Sequence, residues 1–102
     1  MVALRKQRSI QALTAEYDPI ADVLYVTLGE PQAAEGDGRP RGVAFDYTLR
    51  GGVPCGATVT GFKRYGWDQD MGGLARVIAE HLRLSAGEIA RAIVVGIGRE
   101  GR

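Results

Sequence analysis

Tyr17-Asp18-Pro19-Ile20-Ala21-Asp22-Val23-Leu24-Tyr25-Val26-Thr27-Leu28 is the stretch on which the fold turns. Residues 12–17 alternate, with Leu13, Ala15 and Tyr17 on one side and Thr14 and Glu16 on the other, the period of a half-buried strand. Asp18-Pro19 stops that strand. Proline has no N–H and a fixed φ, and the aspartate side chain can bond nearby backbone N–H groups. Val23 to Leu28 resumes the strand pattern with Leu24, Val26 and Leu28 on one face. The four residues between suit a hairpin loop, so the two strands are predicted to be antiparallel neighbours.

Outward from this hairpin, residues 29–40 are rich in Gly, Pro and charge and read as a mobile connection. Val43, Phe45 and Tyr47 alternate in a third strand, Gly51-Gly52 marks a turn, and a fourth strand runs from about 55 to 62. In the fourth, Thr58 and Thr60 share one face and Ala57 and Val59 the other. Pro54 and Gly56 assign its beginning to an edge or a bulge. The period then changes: Leu74, Val77, Ile78, His81 and Leu82 recur at helical spacing. Ser85-Ala86-Gly87-Glu88 is a capping box opening a second helix, which buries Ile89, Ile93 and Ala92 and ends near Gly96 or Gly98. Strands first and helices last predict an α+β domain, a four-stranded antiparallel meander followed by two C-terminal helices. The domain is expected over 12–98, between a basic arm at 1–11 and a frayed tail at 99–102.

The chain has 102 residues, which suits one domain. Thirteen basic residues oppose twelve acidic ones, so the balance is not that of a dedicated nucleic-acid binder. Eleven of the thirteen are Arg, and Gly and Ala abound, a bias expected of a bacterial genome rich in G and C. The charges fall in blocks. Arg5, Lys6 and Arg8 precede an acidic run from Glu16 to Asp37, after which residues 39–64 turn basic with only Asp46 opposing. One cysteine, Cys55, and one histidine, His81, cannot make an internal disulfide or a structural zinc site. No apolar run reaches membrane-spanning length and the first residues lack a leader pattern, so a cytoplasmic protein is expected.

The first hairpin resembles the opening of the bacterial family catalogued as domain of unknown function 2283, whose members begin Tyr-Asp-x-x-x-Asp-x-Leu-Tyr. The matching residues are Tyr17, Asp18, Asp22, Leu24 and Tyr25. The resemblance continues weakly through the strand around Asp46, the Gly51-Gly52 turn and Gly56, covering about 15–62. It implies a fold and supplies no mechanism. Members often carry acids where this chain has Thr48 and Thr58.

Asp18, Asp22 and Asp46 form a cation site if the hairpin loop meets the third strand. The structural reading is that Asp18 closes an Asx turn and Asp22 bonds backbone groups in the same loop. His81 sits on an apolar helical stripe, where packing is the commoner role, and Cys55 has no histidine near it in sequence. No catalytic set, metal or cofactor is therefore expected. The unusual stretch is Phe62-Lys63-Arg64-Tyr65-Gly66-Trp67-Asp68-Gln69-Asp70, with three of the seven aromatic residues beside two cations. Phe62 and Trp67 either cap the core or join a partner surface with Lys63, Arg64 and Tyr65. The expectation is a non-enzymatic protein-interaction domain, partner to a neighbouring-gene product or to itself as a homodimer. The alternative is a nucleic-acid contact module using the basic arm and the 62–70 loop, and a small metal-dependent enzyme ranks last.

Overall fold

Alternation carries the N-terminal half as expected. β1 (Leu13–Asp18) pairs antiparallel with β2 (Val23–Leu28), Tyr17 opposite Leu24 and Asp18 opposite Val23. The computed structural model describes residues 12–100, with side chains through Gly98. The basic arm at 1–11, with Arg5, Lys6 and Arg8, lies outside the described residues, as do Gly101 and Arg102 of the expected tail.

The architecture is α+β, and among the described residues one antiparallel sheet is followed by two helices. The sheet has five strands, which corrects the expected four. β3 (Ala34–Gly38) forms inside the stretch read as a mobile connection and pairs with β4 (Val43–Thr48). All five of its residues are exposed. Backbone bonds to β4 therefore hold it without any buried side chain, and hydrophobic periodicity cannot reveal such a strand.

The order is β1-β2-β5-β4-β3, so the sheet is not a meander: β5 (Pro54–Thr60) lies in the middle, between β2 and β4. This corrects the edge reading of its beginning. Its small residues suit a strand with neighbours on both sides. A Cβ on Gly56 would lie 2.4 Å from the Val26 carbonyl oxygen, so β2 can approach only a glycine there. The bulge reading holds: the β4–β5 register shifts between Asp46 and Tyr47, which oppose Gly56 and Pro54 and skip Cys55.

α1 (Met71–Leu82) and α2 (Ala86–Glu100) cover one face of the sheet. Leu74, Ile78, Ile89 and Ile93 meet Leu24, Val26, Val43 and Val59 in the core. The Ser85 box forms in full. The Glu88 N–H donates to Ser85 Oγ, and Glu88 Oε1 accepts from the Ser85 N–H and hydroxyl, all at 3.1 Å. α2 runs past Gly96 and Gly98 to Glu100. A Cβ at 96 would lie 2.4 Å from the Ala15 carbonyl oxygen, so this glycine lets helix and strand touch rather than stopping the helix. Among the described residues no helix is long and apolar enough to cross a membrane.

Candidate functional site

The two ends of the sheet carry the residues singled out in the sequence, and they carry them apart. At one end the β1–β2 loop meets the segment after β5. Asp18 Oδ1 accepts from the Ile20 and Ala21 N–H groups, the expected Asx turn. Asp22 takes a left-handed conformation (φ 58°) and bonds across to the other segment, not within its own loop as expected. Its Oδ1 accepts from the Tyr17 hydroxyl at 2.8 Å and the Lys63 N–H at 2.9 Å, its Oδ2 from the Arg64 N–H at 3.1 Å. The Asp22 carbonyl accepts from the Gly61 and Phe62 N–H groups. The Lys63 backbone bond leads in holding the Asp22 carboxyl below the usual carboxylate range. Burial, helped by Asp22, pushes the Tyr17 phenol up to about 12.

Phe62 and Trp67 are 1% and 6% exposed and belong to the core. Trp67 Nε1 donates to the Arg41 carbonyl at 2.9 Å, and the Arg41 guanidinium lies 3.6 Å from the indole centroid while donating to the Tyr65 carbonyl. Arg41, itself left-handed at φ 62°, was not legible as a clamp because its partners lie 24 and 26 residues away. Lys63, Arg64 and Tyr65 remain as the outward-facing members of the aromatic stretch.

Asp46 lies at the other end. It opposes Gly56, whereas Asp22 precedes Val23, which opposes Thr60. Four residues along β5 amount to about 13 Å. The three aspartates do not converge, and among the described residues no group of three His, Cys, Asp or Glu could hold a metal ion. Asp46 points to the face that neither α1 nor α2 covers, where Oδ2 accepts from the Thr58 hydroxyl at 2.9 Å. It lines a cavity of about 260 Å³ with Tyr25, Thr27, Thr58, Glu30 and Gln32. Burial raises the Asp46 carboxyl above its ordinary value, against the opposing effects of Thr58 and His81.

On the opposite face His81 stacks on Phe45 at 4.4 Å and meets the Tyr47 edge at 5.0 Å. Its Nε2 lies 3.2 Å from the Asp46 carbonyl, an acceptor, so Nε2 carries the proton in that bond. Burial pushes the Cys55 thiol up, which keeps it protonated. Glu30, Gln32 and Thr27 escaped the sequence reading. The available signal was that Asp46 and Thr58 occupy outward positions of neighbouring strands. No family model, curated protein or solved structure matches the chain.

Proposed function

We propose that the chain is a small non-enzymatic interaction domain that seats a positively charged protein segment on the open face of its sheet. The observation that carries this is the placement of charge. No Lys or Arg lies in any of the five strands, whereas Glu16, Asp18 and Asp46 occupy outward positions of β1 and β4. Glu35 and Asp37 oppose Tyr47 and Phe45 on the helical side, and Asp37 pairs with Arg39 at 2.7 Å. Among the described residues helices cover one face only, and the other presents Glu16, Asp46 and the half-exposed Tyr25 among threonines. Such a face attracts cations and repels phosphate. The resemblance to the domain of unknown function 2283 family belongs to the same proposal, supported by the joint role of Tyr17, Asp18 and Asp22 in one turn. A cytoplasmic setting fits the single unpaired Cys55.

The homodimer is proposed on the helical side, since acidic faces repel their own copies. Val94 and Val95 are exposed there, beside a groove between Leu13 and Ala92. Nucleic-acid contact keeps one support, the exposed Lys63, Arg64 and Tyr65. Backbone amide NMR of the protein with an alternating Lys-Arg octapeptide, and separately with single- and double-stranded oligonucleotides, tests the reading. Peptide shifts at Tyr25, Thr58 and Thr60 support it. Oligonucleotide shifts at 63–65 with a silent sheet overturn it.

A further inference from the structure

Resting on that reading, we propose that the cavity over Asp46 takes one guanidinium group, the head of an arginine side chain in the docked segment. The cavity, about 260 Å³, falls just below the roughly 300–1,000 Å³ of sites for drug-sized ligands and admits a side-chain head with room to spare for water. Two carboxylates, Asp46 and Glu30, line it, and no cation among the described residues does. Half of the Asp46 carboxylate is in use: Thr58 holds Oδ2, while Oδ1 accepts no hydrogen bond from the described residues. Across the strand stands Gly36. A Cβ there would make ordinary van der Waals contact with Oδ1 at 3.7 Å, so only a larger side chain at this position would crowd that oxygen.

A half-buried carboxylate with a free oxygen gains from a partner that replaces its lost water. A guanidinium fits better than an ammonium. Its rigid planar fork donates several N–H groups within one plane, and Asp46 Oδ1, Gln32 and Thr27 supply acceptors around the same cavity. Its flat face can also lie on the Tyr25 ring, which an ammonium exploits less well.

The test is titration of N-acetyl-arginine methylamide into the full chain, followed by backbone amide NMR, with the lysine and citrulline analogues in parallel. Saturable shifts at Gly36, Asp46 and Thr58 are expected with arginine. Citrulline, which has the same shape without the charge, should produce none, and lysine should bind more weakly. Asp46→Asn should weaken arginine binding about tenfold, as loss of a charged hydrogen bond implies. Gly36→Val, which crowds Oδ1 and leaves the charge, should weaken it too. Equal binding of citrulline or lysine, unchanged affinity in Asp46→Asn, or no saturable shift overturns the proposal. A Lys-Arg octapeptide that shifts the open face equally in wild type and Asp46→Asn overturns this pocket and leaves the docking face standing. If neither peptide nor arginine derivative binds, both fall.

Discussion

Asp22 and Asp46 lie at opposite ends of one sheet and are used in opposite ways. Asp22 accepts from a hydroxyl and two backbone N–H groups on both its oxygens, and the two backbone bonds reach residues 41 and 42 positions away. Its acidity is enhanced, so the fold favours its charge. Asp46 accepts one threonine hydroxyl, keeps one oxygen free of the described residues, and has its acidity weakened by burial, so the fold works against its charge. A carboxylate satisfied by its own chain is architecture. A carboxylate held at a cost with an oxygen to spare is suited to a ligand.

The largest expected effect tests whether the Asp22 end is truly architecture. Trp67→Ala should cost about 3–5 kcal/mol in urea unfolding, as for a truncated core aromatic. The wild-type emission, from the only tryptophan, should be blue. A red native spectrum would move Trp67 out of the core and dissolve the contrast. Next comes Asp22 itself. Asp22→Ala should cost about 2–3 kcal/mol, since it orphans the Tyr17 hydroxyl and places alanine at a left-handed φ. Asp22→Asn tolerates that backbone and keeps one acceptor, so it should recover roughly half of the loss.

A pH series sharpens the comparison through signs. The depressed Asp22 pKa means that its stabilising contribution is complete above the ordinary carboxylate value and is lost as pH falls through the lower folded value. The wild-type advantage over Asp22→Asn should therefore vanish in acid. Asp46 runs the other way. Its folded pKa is raised, so its charge costs stability, a cost that grows as pH rises from the ordinary value through the folded one. The smallest expected effect follows: Asp46→Asn should leave thermal stability at neutral pH within about 0.5 kcal/mol of wild type, or raise it. A loss resembling that of Asp22→Asn would make Asp46 a structural residue.

What could be read in advance tracks how much information local side chains carry. The hairpin at 13–28, the stripe from Leu74 to Leu82 and the Ser85 box were legible because each is written in residues a few positions apart. β3 was illegible because its side chains touch nothing that sorts polar from apolar. The sheet order was illegible because it depends on Gly56 meeting Val26 thirty residues earlier, which no local window contains. The candidate site divided likewise. The Asx turn at Asp18 is local and was read. The Asp22 bonds to Lys63 and Arg64 and the Thr58 bond to Asp46 join distant segments, so whether the three aspartates meet was not legible before the strands were ordered.

The central place of β5 also bears on how the chain is made. β1–β2 and β3–β4 are two hairpins with no shared edge, and each must wait for residues 54–60 to be joined. During synthesis the nascent chain therefore holds two marginal two-stranded pieces until the last strand leaves the ribosome, since isolated hairpins are scarcely stable in water. A polypeptide ending in the 49–53 turn should stay unfolded, and appending β5 with the two helices should bring the whole domain to order in one cooperative step.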